Sequence, residues 1–506
     1  MKSLKRIVVF QLSAFLIAGQ CACGTIRADA SAGTDSSAEI QMQASDQMPD
    51  EMPPDGNGGP GGTPPDGNGG PGGAPPDANG GPGGAPPDGN GGPGGGPGGM
   101  SADIEYSGAA EITAAETQTG QSYASTASDE NALLIEASDE VTITDPEVTK
   151  SGDSDGGDSC SFFGVNSAVL VKDGTTATIT GGTITTDAEG ANGVFCYGGN
   201  GGQNGADGDG TTVVIRDTSI TTTGGGSGGI MTTGGGITYA YDLDVTTGGR
   251  SSAPIRTDRG GGTVYADGGT YTSNGLGSPA IYCTAEIHAA NASLTSNLSE
   301  GICIEGLNSV ELTDCDLTAD NTQCNGNATF LDSVMIYQSM SGDAAGGTGS
   351  FTMTGGSLTS KNGHVFHVTN TSAVINLENV EIINEDDGNV LLSVCDDGWN
   401  GGNNAAVINA SSQKLTGALL VGSNSSLTLN LTEGSSFEGC VDGKITDANG
   451  KTVSEEAGTV SVTLDGSSTW TLTGDSYVTE FTGDAANVIS NGYTLYVNGT
   501  ALETAD

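Results

Sequence analysis

Val264-Tyr265-Ala266-Asp267-Gly268-Gly269-Thr270-Tyr271-Thr272 is the stretch on which the reading of this chain turns. Val264 and Ala266 alternate with polar or exposed-type residues, a Gly pair follows, and Tyr271 comes five positions after Ala266. The alternation is that of a strand with one face buried, and the glycines mark a turn into a second short strand. The same spacing recurs at Val141-Thr-Ile143 to Val148, Ala177-Thr-Ile179 to Ile184 and Val213-Val-Ile215 to Ile220. It continues at Ile287-His-Ala289 to Leu294, Val310-Glu-Leu312 to Leu317, Phe351-Thr-Met353 to Leu358 and Ile375-Asn-Leu377 to Ile382. A last copy is read at Trp470-Thr-Leu472 to Tyr477.

Successive anchors Ile220, Val245, Tyr271, Leu294 and Leu317 lie 25, 26, 23 and 23 residues apart, the length of one structural repeat. A second apolar patch falls between anchors, as in Gly193-Val-Phe-Cys196, Gly229-Ile-Met231, Gly301-Ile-Cys-Ile304 and Asn389-Val-Leu-Leu392. Each repeat therefore carries about three short strands, and no single repeat can bury its inner face alone. Stacked repeats can. The pattern predicts an all-β fold, a right-handed single-stranded parallel β-helix with three short strands per coil, over residues 133–502. An antiparallel sandwich is the competing arrangement, but one coil length recurs and no hairpin register is evident. Ser426-Leu-Thr-Leu-Asn-Leu431 before Phe437 breaks the spacing by a residue, predicting a bulge or a change of coil shape. Tyr493-Thr-Leu495-Tyr-Val497 is placed at the closing end.

The composition agrees with a thin core. Only 34% of the residues are apolar while 86 are glycine, too little oil for one large round interior. A formal net charge of −48 argues against nucleic acid as a partner and against docking on anionic lipid.

Residues 1–28 read as a signal peptide: Lys2, Lys5 and Arg6 precede the apolar run from Ile7 to Ala18. Cys21 is a candidate lipid-attachment site of the lipoprotein type, although Gln20 stands where a small residue is expected; cleavage after Ala28 or Ala30 is the alternative. Membrane contact is expected only through such an anchor. Residues 29–100 hold an acidic stretch and a Pro/Gly-rich repeat of 11 residues beginning at Pro53, Pro64, Pro75 and Pro86, the composition of a flexible spacer. Residues 101–132 are read as a transitional or capping segment.

Chemistry is harder to find. Eight cysteines from Cys160 to Cys440 permit disulfides in an exported chain, Cys315–Cys324 being one candidate pair, while Cys283 and Cys303 suit an internal ladder. Parity puts His364 and His367 on opposite strand faces, and no histidine stands near an identifiable nucleophile. Tyr197, Tyr239, Tyr241, Tyr265 and Tyr282 are candidates for stacking on sugar rings or for the core. The segments 198–210 and 398–404 are expected to project as loops. Rows of Thr in register would instead suit an ice or mineral surface.

Coil period, Gly/Thr-rich composition and export together resemble the bacterial right-handed parallel β-helix proteins of the pectin-lyase-like superfamily, adhesin-like members above all. The resemblance implies a secreted or cell-surface, extracytoplasmic protein, a non-catalytic adhesin or glycan binder whose partner is a host or microbial glycan or surface protein. Its alternative implication is a polysaccharide lyase or glycoside hydrolase. The lyase reading would draw on Arg250, Arg256, Arg259 and Asp258, with Asp242 and Asp244 near in sequence. No cofactor is required; Ca2+ is the cation to expect, with Asp314, Asp316, Asp396 and Asp397 as candidate ligands.

Overall fold

A computed structural model describes residues 104–505 apart from 155–156, 202–206 and 400–402. The segments read as signal peptide and spacer, and Cys21, lie outside the described residues. The fold is a parallel β-helix. Strands three apart in chain order pair side by side, building a first sheet of 13 strands, a second of 14 and a third of 10 among the described residues. One repeat shows the unit: Val194–Tyr197 in the first sheet, Thr212–Arg216 in the second, Ser219–Thr222 in the third.

The motif residues face inward and stack on their counterparts in the next coil. Val141, Ala177 and Val213 form one inner row of the second sheet, continued later by Val264, Ile287 and Val310. Thr238 interrupts this row, and its hydroxyl is satisfied inside by Thr232 at 2.6 Å. The third sheet stacks Val148, Ile184, Ile220, Val245, Tyr271, Leu294, Leu317 and Leu358. Each buried large apolar side chain stabilises by about 1.5–3 kcal/mol, so one row per strand suffices where a wide core would not.

Two local devices close each coil. The turn between second and third sheets needs a left-handed residue, and Gly181, Asp217, Asp242, Gly268, Asn291, Asp314 and Gly355 supply it with φ of 50–74°. Where a Gly pair stands there, the second member is also sterically required: a Cβ on Gly182, Gly269 or Gly356 would overlap the carbonyl oxygen of Pro146, Leu243 or Cys315 in the coil before. The next corner is tied from within. Thr186, Thr222, Ser273 and Ser296, two positions after their anchors, donate to the carbonyls of Ala191, Ser227, Ser278 and Ser299 at 2.5–3.0 Å.

Several expectations need correction. Within the segment read as transitional or capping, Gly108–Ile112, Glu116–Thr119 and Ser122–Ser125 each pair in parallel with the coil that follows. Ser425–Thr432 carries no bulge; it pairs residue for residue with Asn404–Ser411, and the extra residue is taken up in the turn at Glu433-Gly434. Among the parallel pairs of the described residues a register shift lies instead between Val390 and Leu392. Coil shape does change there, because the third sheet ends at Asn384 and Leu415, Phe437, Trp470 and Val488 stack in a separate sheet. Trp470 and Leu472 therefore occupy a third-sheet type of position, and Tyr477 is no buried anchor but an outward residue stacked on Tyr496. Leu495–Val497 pairs with Ser476–Val478 on one side and, antiparallel, with Thr500–Ala501 on the other, which covers the closing edge.

Candidate functional site

Two outward faces carry the chemistry, and they differ in cover. On the second sheet the middle residue of the quoted motif points out. Tyr239, Tyr265, His288 and Glu311 therefore align across four successive coils. Tyr239 and Tyr265 are parallel within 10° with centroids 5.2 Å apart, and Tyr265 and His288 within 11° at 4.9 Å. Coils about 4.8 Å apart exceed the roughly 3.5 Å thickness of a ring in contact, so such rings must lean like shingles, leaving part of each face open. Tyr265 remains 40% exposed. Glu286 and Glu311 hold the imidazole of His288 at 2.9 and 3.0 Å from Nε2 and Nδ1, their own side chains about half exposed. Burial first, then the Glu286 carboxylate, raises the Tyr265 phenol above its usual range. On the neighbouring row Arg216 lies 3.7 Å from the centre of the Tyr241 ring, and Asp267 is exposed beside it.

The outer face of the first sheet is covered. Its row runs Leu134, Leu170, Phe195, Met231, Arg256, Tyr282, Cys303, Met335, His367 and Ser393, all buried. The helix Asp158–Phe163 and segments around Phe330, Asp343 and Trp399 pack over it. Under that cover both His364 Nδ1 and His367 Nδ1 lie 2.7 Å from the Ser393 hydroxyl, despite their opposite parity. His367 Nε2 is 3.3 Å from Asp397 Oδ2, within ion-pair reach but off the line of a hydrogen bond. Asp397 Oδ1 is held by the Thr329 amide and hydroxyl at 2.5 and 2.6 Å. So a histidine does stand beside a hydroxyl, contrary to the sequence expectation. The hydroxyl, imidazole and carboxylate are nevertheless sealed from solvent. Burial, then the charge of His367, lowers His364 to about 3, keeping it neutral.

Asp332 lies in the same region with both carboxylate oxygens unpartnered among the described residues. Burial, then Glu300 and Asp397, pushes its carboxyl well above the usual range.

The sequence candidates scatter. Arg256 is 2% exposed and bonds Asp258 at 2.6 Å; Arg259 bonds Asp343 at 2.6 Å; Arg250 donates to Asn325. Burial pushes Asp258 up to about 7 while Arg256 pulls it back. Asp242 sits in a turn and Asp244 on the third sheet, so no open Arg–Asp cluster forms. Asp314 is the left-handed turn residue, Asp316 accepts from Ser357 at 2.7 Å and Asp396 from Asn404 at 2.7 Å, so these carboxylates and Asp397 do not converge. Among the described residues no group of three or more His, Cys, Asp or Glu is arranged to hold a metal ion. The eight cysteines among the described residues are free, Cys315 and Cys324 included. Cys283 faces the core opposite Ile304, whereas Cys303 faces out opposite Tyr282, one residue off the expected ladder. Tyr282 is core-like and Tyr197 half-buried against Phe163, leaving Tyr239, Tyr241 and Tyr265 on the open face. Trp399 folds back on Tyr337 rather than projecting.

Compared with protein-family models, curated proteins and solved structures, the chain matches none.

Proposed function

We propose that this chain is an exported, non-catalytic binding protein of the bacterial cell surface, an adhesin of pectin-lyase-like kinship that engages glycan through the second sheet. The shingled row Tyr239–Tyr265–His288 carries the reading: it is open, aromatic and bordered by hydrogen-bonding groups. Partly open aromatic faces suit the apolar C–H faces of sugar rings, and side chains held by neighbouring coils lose little freedom on binding. Export, with the spacer of residues 29–100 holding the rod away from the envelope, belongs to the same proposal. The enzymatic alternative loses its strongest support, since Arg250, Arg256 and Arg259 are each engaged within the fold.

Screening the purified protein on a glycan and mucin array tests this reading, with product analysis on polysaccharides alongside. Saturable binding that Tyr265→Ala abolishes, without chain cleavage, is expected; unsaturated oligosaccharide products would instead establish a lyase.

One observation supports a second reading. Thr149, Thr185, Thr221, Thr246, Thr272, Thr295, Thr318 and Thr359 stand in register on the outside of the third sheet, as an ice- or mineral-binding face would have them. It ranks second because the adjacent row places Glu147, Asp244, Asp316 and Glu381 among the hydroxyls, and charges disrupt an ordered water layer. Growth-rate measurements on ice or mineral crystals with Thr246→Lys as control would decide it.

A further inference from the structure

Resting on the glycan-binding reading above, we infer that the second-sheet face selects sugars bearing free amino groups and rejects uronic acids. Charge and ring geometry both point there. Around Tyr265 the carboxylates of Asp267, Glu286 and Glu311 lie within two coils on the same outward face. Even with a proton on His288, the trio Glu286, His288 and Glu311 keeps a net charge of −1 (two negative, one positive), and Asp267 adds another. The whole chain carries −48, so the field reaching an approaching ligand has the same sign. A polyuronate meets repulsion from the rod and from the rim of the aromatic row. An ammonium group meets carboxylates and the negative face of a phenol ring together.

The protein already seats nitrogen groups against rings of this face twice, once with carboxylates beside them. The Arg216 guanidinium rests 3.7 Å from the Tyr241 ring centre, and the His288 imidazole stacks on Tyr265 between two carboxylates. The open part of Tyr265, with Asp267 on its own strand and Glu286 on the next, offers a third such place to a ligand's ammonium. One ring per coil over three successive coils, Tyr239, Tyr265 and His288, makes a short linear track, which fits an unbranched run of hexosamine units better than a branched sugar.

Titration of the purified full chain with a glucosamine hexamer, the N-acetylglucosamine hexamer and a galacturonate hexamer tests this, at about pH 6, where amines of this class are charged. Poly-lysine serves as competitor. The free-amine hexamer is expected to bind about tenfold more tightly than its acetylated counterpart, as one screened ion pair plus one cation–π contact allows. The galacturonate hexamer should not bind. Asp267→Asn with Glu286→Gln should erase the preference for the amine, bringing the free-amine and acetylated hexamers to equal affinity, and Tyr265→Ala should abolish binding of both.

Equal or tighter binding of the acetylated or galacturonate hexamer, still dependent on Tyr265, overturns the amine selectivity and leaves glycan binding standing. Equal competition by poly-lysine also overturns it, as charge attraction without sugar recognition. If no hexamer binds, or if binding is indifferent to Tyr265→Ala, the glycan reading itself falls.

Discussion

The outward faces of the first and second sheets are built by one backbone rule and end in opposite states. Both present every other residue away from the core, and both align those residues coil upon coil. On the second sheet Tyr239, Tyr265 and His288 stack on one another and keep partial contact with solvent. On the first sheet the helix and the long inserted turns bury the same kind of row, and Arg256, Asp332, His367 and Asp397 lose their water. Charge on the open face is screened and inexpensive; under cover each ionised group must find a partner or take up a proton. The difference teaches that polar chemistry concentrated in a fold need not mark its site of action.

Arg256→Ala should break the comparison most severely. It strands Asp258 under the cover, and about 3–5 kcal/mol of stability should be lost in urea denaturation. Arg216→Ala on the open face, which removes only a cation from the Tyr241 ring, should lose about 1 kcal/mol or less.

Asp332→Asn sharpens it in the other direction. A carboxyl raised in the folded state binds its proton more tightly there than in the unfolded chain. Native stability therefore falls as pH rises from the unfolded value near 4 towards the folded one. The Asn variant lacks that loss. It should be more stable than the native chain by about 1–3 kcal/mol at pH 8, with the advantage shrinking as the pH falls to about 4. Thermal melts across that range would read this; an advantage that does not change with pH would contradict it.

Tyr265→Ala should remove one member of a solvent-facing stack and cost about 1 kcal/mol by thermal denaturation, while abolishing glycan binding. The smallest effect belongs to the amide row further along the second sheet. There Asn409 donates to Asn376 and Asn430 to Asn409, both at 2.9 Å. Asn409→Ala should cost about 0.5–1 kcal/mol in the same melts and leave binding untouched.

Much of the open face was legible. Tyr239, Tyr265 and His288 hold the same place in successive copies of the motif, flanked by Thr238 and Ala240, Val264 and Ala266, Ile287 and Ala289. Overlaying the copies aligns them without coordinates, a signal that listing tyrosines by type does not use. Tyr477 misleads because a bulky residue five positions after Leu472 imitates an anchor, while the strand Ser476–Val478 turns it outward. Cys303 misleads for a related reason: a slip of one residue exchanges the faces of a strand.

By itself the sequence determined the coil, because inward apolar residues, left-handed turn residues and corner hydroxyls act within one repeat or between neighbours. Their spacing along the chain is therefore their spacing in space. Only the tertiary structure decided which outward row is roofed and which charges meet beneath the roof. Ser393 meets His367 as its partner on the next strand, Thr329, 68 residues before Asp397, holds that carboxylate, and contacts made by inserted turns follow no period.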